Sequence, residues 1–282
     1  MTVVQAVNNL KERFSSAGID TAALDAQLIV GNAMGMSRVQ ILTYPEKILT
    51  ENEKCKINEM FLKRINRMPM QYILGVCEFM GLDFKVNSDT LIPRGDTEIL
   101  VEKAIEMINK NGYKSVLDIG TGSGAIAVSV AKYTAAKVTA ADISNKAISV
   151  AKRNAADNGV SVEFINSDLF SNINKKYDLI LSNPPYIEKD IIKTLEPDVK
   201  DYEPMLALDG GIDGLDFYKR ITKDCCKYLN ENGSIAFEIG YNQSEAVSSL
   251  LGAYDFDRIS VEKDLAGFDR VVIGHNLYCC CI

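Results

Sequence analysis

The chain has 282 residues, of which 47% are hydrophobic, a proportion typical of a folded protein with a core and not of a disordered chain. Its 31 basic and 38 acidic residues give a formal net charge of −7, which argues against a broad electrostatic footprint on nucleic acid or an anionic membrane. The amino-terminal segment lacks both a basic start and an apolar core for export, and no apolar run could span a bilayer, so we expect a cytoplasmic protein without membrane contact.

The cysteine pattern does not indicate a disulfide framework. The seven cysteines are an odd number, and they include the adjacent pair Cys225 and Cys226 and the terminal run Cys279–Cys281. We therefore expect reduced thiols. The terminal sequence CCCI is a prenylation box only in form, since its middle positions are not aliphatic and no basic run precedes it. Adjacent cysteines have the wrong spacing for a metal site and the chain has a single histidine, so no metal is predicted.

Residues 1–68 are predicted to form a small helical domain. Apolar residues recur there at spacings of three and four, and Thr50 followed by Glu53 predicts a capping box. The next segment, QYILGVCEFMGLDFKVNS, alternates in polarity and has turn glycines at Gly75 and Gly81, which is typical of a β-hairpin. Residues 69–98 are therefore assigned to a hairpin and an interdomain linker.

Residues 99–282 are assigned to a catalytic domain, because strand and helix patterns alternate from about Lys114 onward. The predicted strands are KSVLDIG, KVTAADIS, SVEFINSD, YDLILSNPPY, GSIAFEIG and two further β-like runs that end at FDRVVIG. The predicted helices begin at Ala125, Asn145, Leu215 and Ser244. Such alternation predicts a parallel, doubly wound sheet whose active site lies at the carboxyl ends of the strands.

A glycine-rich loop, LDIGTGSGAIAV, follows the first of these strands and opens a helix. Gly120, Gly122 and Ala125 fit the dinucleotide pattern G-x-G-x-x-G/A, while Asp118 and the alternate glycines also fit the S-adenosylmethionine pattern D-x-G-x-G-x-G. In either case glycine lets a ligand approach the backbone, so the loop leaves the cofactor open. The candidate cofactor contacts in the loop are Asp118, Gly120, Thr121, Gly122, Ser123 and Gly124.

Two further acids end the next two strands. Asp142 follows the glycine loop at the spacing that places a carboxylate beside a ribose, where it is expected to accept both hydroxyl protons. Asp168 is expected to accept from an adenine amino group, with Leu169 and Phe170 as apolar cover. Acids at three successive strand ends favour a compact adenosine ligand over one with a pyrophosphate linker.

The fourth strand runs into Asn183-Pro184-Pro185-Tyr186, the four predicted catalytic residues, of which Asn183 is also expected to contact the cofactor. Two prolines stop the strand in a rigid, extended turn. If the Asn183 side-chain oxygen and the Pro184 carbonyl each accept one hydrogen of an amide or amine nitrogen, that nitrogen is held in place for methylation. Tyr186 is expected to stack on the flat face of the group being methylated.

Together these motifs resemble the release factor glutamine methyltransferases, the HemK or PrmC family. The resemblance covers nearly the whole chain, since MPMQYILG, LIPRGDTEILVE, EPMLALDGGIDGL and DLAGFDRVVIG also match that family's patterns. Gly95 departs from the pattern at a position where the family usually has a second proline, and this change is expected to loosen the loop. Arg94, Thr97 and Glu98 are retained, and Arg94 and Glu98 either contact the substrate or pin the interdomain loop to the sheet.

The resemblance implies a class I S-adenosylmethionine-dependent methyltransferase fold, which is Rossmann-like with a seven-stranded, mostly parallel sheet and an antiparallel last strand. It also implies a small helical N-terminal domain that helps to recognise the partner. The implied reaction moves a methyl group from S-adenosylmethionine to the glutamine side-chain nitrogen in the Gly-Gly-Gln motif of class I peptide chain release factors. We expect a monomer without stable nucleic-acid binding.

Three other functions share parts of the pattern. An adenine-N6 DNA methyltransferase uses the same tetrapeptide on a flipped base, but it needs a basic cleft and a target-reading domain, which a chain of charge −7 does not clearly offer. A nicotinamide-dependent reductase has only the glycine loop in its favour. A binding module without activity is the third alternative, and a measured methyl transfer would exclude it.

Overall fold

The computed structural model describes residues 1–276, so the terminal run Cys279–Cys281 lies outside the described residues. The chain divides into two compact units. The helical unit consists of Met1–Gly75 together with Pro197–Tyr202, and the second unit consists of Val76–Glu196 together with the chain from Glu203 onward.

Five consecutive helices form most of the helical unit. They are α1 (Val3–Ser16), α2 (Ala22–Met34), α3 (Arg38–Thr43), α4 (Glu51–Ile65) and α5 (Met70–Leu74). The predicted capping box at Thr50 and Glu53 is present and starts α4. Phe14 of α1 stacks on Phe61 of α4 at 5.4 Å between ring centroids, in a core made from the apolar faces of these helices.

An ion pair and a hydrogen bond join residues 197–202 to the helices of this unit. Arg64 donates from Nε to Asp25 at 2.7 Å and from Nη1 to Asp198 at 2.6 Å. Tyr202 donates its hydroxyl proton to the Asn66 carbonyl at 2.5 Å. The segment therefore belongs with the helices in its contacts, although it is remote from them in sequence.

The predicted hairpin is shorter than the sequence pattern indicated. Its strands are β1 (Val76–Phe79) and β2 (Leu82–Lys85), which pair antiparallel around Gly81. The residues before Gly75 form α5 and not a strand. Gly75 adopts the left-handed conformation, with φ of 72°, and its N–H bonds to the Gln71 carbonyl, so it ends a helical turn.

The second unit contains a seven-stranded sheet. Its strands are β3 (Ser115–Ile119), β4 (Lys137–Asp142), β5 (Val162–Asn166), β6 (Tyr177–Ser182), β7 (Leu229–Glu238), β8 (Asp257–Lys263) and β9 (Asp269–His275). They lie in the order β5-β4-β3-β6-β7-β9-β8. The first five are parallel, and β9 is antiparallel to both of its neighbours. The predicted class I methyltransferase fold, with an antiparallel last strand, is confirmed.

The remaining helices are α6 (Gly95–Asn111), α7 (Ala125–Tyr133), α8 (Asn145–Asp157), α9 (Lys189–Ile192), α10 (Pro197–Lys200, in the segment of the helical unit), α11 (Asp216–Cys225) and α12 (Ser244–Ala253). Both faces of the central strands are buried, as their near-continuous apolar sequences require. Val116 and Leu179 pack in one core cluster with residues of α6 and α7. Leu117 and Ile180, their sequence neighbours, pack in the other cluster with residues of α11 and α12. Among residues 1–276, no helix is both long and apolar enough to cross a bilayer.

Candidate active site

A cavity of about 320 Å³ lies at the carboxyl ends of β3, β4 and β6 and beside the loop that follows β5. This is the edge at which doubly wound sheets bind ligands, and the volume is at the lower end of the range for small-molecule sites. The predicted site residues that line it are Gly120, Gly122, Asp142, Asp168, Leu169, Asn183, Pro184 and Pro185. The structure thus brings the glycine loop and the Asn-Pro-Pro turn to one cavity.

The glycines of the loop have two different roles. Gly120 and Gly122 have φ of 75° and 55°, and a Cβ at either position would meet no atom within 4 Å. Because both line the cavity, that Cβ would occupy space open to a ligand. Gly124 does not line the cavity, and its Cβ would lie 2.9 Å from the Cβ of Ala151. It permits close packing of α7 on α8.

Three other predicted residues of the glycine loop, Asp118, Thr121 and Ser123, do not line the cavity. Thr121 donates its hydroxyl proton to Asp118 Oδ2 at 2.6 Å, and both residues are buried outside the cavity lining. Burial raises the pKa of Asp118 to about 7, because the charged form loses water. Ser123 is also buried, and its carbonyl accepts from Asn154 at 2.8 Å. Direct cofactor contact by Asp118, Thr121 and Ser123 stays a prediction.

Asp142 holds the glycine loop to the end of β4. Its Oδ2 accepts from the Gly122 N–H and its Oδ1 from the Ser144 N–H, both at 2.8 Å. Burial raises the pKa of Asp142, and these two backbone donors oppose the rise. Each oxygen keeps a lone pair, so the carboxylate can still accept two hydroxyl protons of a ribose.

The loop after β5 divides its predicted residues between the cavity and the core. Asp168 lines the cavity, where Arg220 donates to its two oxygens at 2.8 and 2.9 Å. Leu169 also lines the cavity. Phe170 does not line the cavity, because its ring is buried against Tyr228 with 4.5 Å between centroids, so cover of the adenine by Phe170 stays a prediction.

The Asn-Pro-Pro-Tyr turn is anchored from behind. Asn183 donates from Nδ2 to Thr97 Oγ1 at 3.2 Å. Tyr186 donates its phenolic proton to Glu238 Oε1 at 3.4 Å, and its carbonyl accepts from Gln243 at 3.0 Å. Burial raises the pKa of Tyr186, so the phenol stays neutral. Asn183 lines the cavity and Tyr186 does not, so stacking of Tyr186 on a substrate stays a prediction.

Arg94 and Glu98 have structural contacts outside the cavity lining. Arg94 donates to Glu203 Oε1 at 2.5 Å, and Glu203 is buried. Glu98 accepts from the Met80 N–H at 2.6 Å and so holds the hairpin turn. These contacts fit the interpretation that both residues pin loops, and direct contact with substrate stays a prediction.

Several cavity residues were not singled out from the sequence. They are the loop residues Asp89, Thr90 and Leu91, the wall residues Pro204, Leu206 and Ala207, and Phe217, Arg220 and Ile221 on α11. Pro204 and Ala207 fall in the stretch EPMLALDGGIDGL, so the resemblance could have marked that wall. Nothing in the sequence marks Arg220 as the partner of Asp168, which lies in a much earlier part of the chain.

Comparison with known proteins adds to this geometry. Residues 95–196 match the family described as Methyltransferase small domain, and residues 5–75 match PrmC N-terminal domain. A protein named release factor glutamine methyltransferase from Fusobacterium nucleatum subsp. nucleatum is 44% identical over 272 residues, which cover 95% of this chain and 77% of that protein. A protein of the same name from Clostridium botulinum is 44% identical over 91% of this chain and 93% of its own length.

The chain belongs to the release factor glutamine methyltransferase family. A member from Agrobacterium fabrum is 39% identical over 93% of both chains. Among solved structures, a methyltransferase from Pyrococcus furiosus covers 80% of this chain and 99% of its own, with a TM-score of 0.52 at 19% identity. The catalytic domain of hMettl16 covers 81% of this chain and 83% of its own, with a TM-score of 0.58 at 16% identity. These two likenesses support the fold, and the family relatives identify the chain as a methyltransferase.

Proposed function

We propose that this protein transfers a methyl group from S-adenosylmethionine to the side-chain amide nitrogen of the glutamine in the Gly-Gly-Gln motif of class I peptide chain release factors. The observation that carries the proposal is that the Asn183-Pro184 turn, the glycine loop at Gly120 and the Asp142 carboxylate line the same cavity. A substrate nitrogen that receives a methyl group and a nucleoside cofactor can therefore lie next to each other in this cavity. The names of the family relatives support the choice of substrate.

The residues around the cavity fit S-adenosylmethionine. Gly120 and Gly122 leave open space at the backbone, Asp142 has one free lone pair on each oxygen, and Leu169 offers an apolar surface. When bound, this cofactor supplies a methyl group on a positively charged sulfur. Asp142 would hold the ribose, and Asp168 would accept from the adenine amino group with lone pairs that Arg220 does not use.

Asn183 and Pro184 would act on the substrate nitrogen. A glutamine amide nitrogen is a poor nucleophile because its lone pair is delocalised over the carbonyl. Two acceptors, Asn183 Oδ1 and the Pro184 carbonyl, would hold its two hydrogens and direct the nitrogen lone pair toward the methyl group. The prolines fix both acceptors in a turn that Gln243 also ties down. The nitrogen would exchange one of its two protons for the methyl group and release that proton to water, so orientation and electrostatics would promote the reaction without a strong base.

An adenine-N6 DNA methyltransferase is not favoured. The full-length relatives are named for release factors, and the chain carries a net charge of −7. We extend the proposal to a monomer that acts in the cytoplasm and does not bind nucleic acid stably.

The proposal is tested by radiolabelled methyl transfer to intact release factor, to its Gln→Ala variant and to duplex DNA. Labelling is expected only for the intact factor. Equal labelling of the Gln→Ala variant would contradict the substrate assignment, and labelling of DNA would restore the alternative.

A second part of this experiment tests the acidic segment at residues 188–216, which has nine acidic side chains and three lysines. Four of the acids form ion pairs, and they are Asp190, Asp198, Glu203 and Asp213. The segment keeps an excess of negative charge, which would speed encounter with a basic region around the substrate glutamine. Added salt is then expected to slow methylation of intact release factor more than that of a short neutral Gly-Gly-Gln peptide. An equal salt response would leave the loop with no role in encounter.

A further inference from the structure

A hydroxyl group contacts the side-chain amide of Asn183. Thr97, the third residue of α6, is 5% exposed, and its Oγ1 accepts the Asn183 Nδ2 proton at 3.2 Å. A threonine hydroxyl has one proton to donate. The Thr97 oxygen accepts a hydrogen bond from Asn183. It can do so only while its own proton points to a different acceptor.

Glu238 is a buried acceptor with one unpaired oxygen. It ends β7, is 2% exposed, and receives the Tyr186 hydroxyl proton on Oε1. Its Oε2 is buried without a hydrogen bond of good geometry to any of the described residues. The Thr97 hydroxyl is near enough to lower the pKa of Glu238 through hydrogen bonding. A buried carboxylate oxygen without a partner is costly, so its retention calls for a physical explanation.

We propose that Glu238 and Thr97 are positioning residues that set the orientation of the Asn183 amide. Ionised Glu238 only accepts, so it draws the Thr97 proton toward itself and leaves Thr97 Oγ1 as an acceptor for Asn183 Nδ2. Because the amide is planar, Oδ1 is then free to accept from the substrate nitrogen. The inference rests on the proposed function, in which Asn183 acts through that oxygen.

The opposite orientation would prevent the reaction. If Thr97 donated to Asn183, it would bind Oδ1, and the Asn183 amino group would meet the substrate amino group, donor against donor. A half-turn of an amide exchanges its oxygen and nitrogen with little change in shape, so packing alone selects weakly between the two states. Ionised Glu238, which can only accept a hydrogen bond from Thr97, would select one of these two amide orientations.

The protonation state of Glu238 gives a readout that a purely structural role would not produce. The groups that face it are Tyr186, Tyr218, Asp96 and Arg270. Burial raises the pKa of Glu238 to about 7, and the negative charge of Asp96 adds to the rise, while Thr97, Arg270 and Tyr186 oppose it. Protonated Glu238 can donate to Thr97 and reverse the chain of hydrogen bonds. We therefore expect kcat to decline as the pH falls below about 7.

The first test compares Thr97→Val with Thr97→Ser, and it uses Thr222→Val as the matched control. Thr222 is fully buried on α11 and its hydroxyl has no hydrogen-bond partner within residues 1–276, so this control makes the same chemical change outside the network. Thr97→Val is expected to lower kcat about 10- to 100-fold, since loss of orientation at a reacting group has effects of this size. S-adenosylmethionine affinity is expected to stay normal. Thr97→Ser should restore turnover to within a few-fold of wild type.

The second test combines Thr97→Val with Glu238→Leu. If the two residues act through one chain of hydrogen bonds, the double variant should be no slower than the slower single variant. Glu238→Gln cannot ionise and should lose the decline in kcat below pH 7.

Separate results would overturn the two proposals. Wild-type protein that fails to label release factor would overturn the proposed function, and this inference with it. Normal wild-type labelling with an unaffected Thr97→Val variant, or with losses that multiply in the double variant, would overturn this inference alone.

Discussion

Replacing Gly95 by proline is expected to stabilise the protein. Gly95 is the first residue of α6. It stands in the LIPR-DTE pattern at a position where the family usually has a proline. The first N–H of a helix has no partner within the helix, so proline loses nothing by lacking it. The change therefore concerns the first turn of α6, which also contains Thr97 and Glu98.

The size of the effect follows from the local backbone. Arg94, which would precede the proline, has φ of −108° and ψ of 147°, the extended conformation that such a residue prefers. A Cβ on Gly95 would meet no atom within 4 Å, and its φ lies outside the left-handed region. With no strain in the folded state, the gain comes from restricting the unfolded chain and is about 0.4–1 kcal/mol. For a unit of this size the midpoint of thermal unfolding should rise by roughly 1–4 °C.

Thermal and urea unfolding of wild type, Gly95→Pro and Gly95→Ala would measure the gain. Gly95→Ala should show a smaller gain, since it adds a Cβ without fixing φ. Gly112→Ala is the contrasting variant, because Gly112 ends the same helix with φ of 69° and a side chain there is strained. If Gly95→Pro lowered the unfolding midpoint, the reasoning about the start of α6 would be refuted.

Three further results are expected. Asn183→Ala should reduce methyl transfer by roughly 10²- to 10³-fold, and more than Tyr186→Ala does, while calorimetry shows near-normal S-adenosylmethionine binding; near-normal turnover would contradict the mechanism. Asp142→Ala should weaken S-adenosylmethionine binding, since hydrogen bonds to a charged acceptor contribute about 1.5–3 kcal/mol each, and unchanged affinity would place the cofactor elsewhere. Asp118 has a raised pKa of about 7, so its contribution to stability is complete below its unfolded pKa and is lost as the pH rises through 7; Asp118→Asn should remove that part of the pH dependence in urea unfolding, and an unchanged profile would count against it.

The sequence was most informative where a motif directly follows a strand. The loop at Gly120, the acid at Asp142 and the turn at Asn183 each end a strand, and a parallel sheet brings such ends to one edge without further information. Their convergence on one cavity could therefore be predicted. The alternation of polarity was misleading at residues 71–74, which form part of α5 and not a strand. A short segment with Tyr and Ile suits either a strand or a helical turn, and the left-handed conformation of Gly75 distinguishes the two only in the structure.

Contacts between remote residues could not be predicted in this way. Arg220 meets Asp168, and Glu238 meets Tyr186, only because helices and strands pack in one particular arrangement. Phe170 shows the same limit on a smaller scale, since adjacent residues of a loop can face opposite directions and polarity does not tell which one is buried. No local pattern in the chain carries this information.

Residues 197–202 have a practical consequence for dissecting the protein. A fragment that began at Val76 would keep Asp198 and Tyr202 but would lose their partners, Arg64 and the Asn66 carbonyl. One cut in the coding sequence would therefore not separate the two units, because a fragment that begins at Val76 still carries Pro197–Tyr202 and a fragment that ends at Gly75 lacks it. A shortened enzyme would need a short linker in place of Pro197–Tyr202 as well as removal of Met1–Gly75.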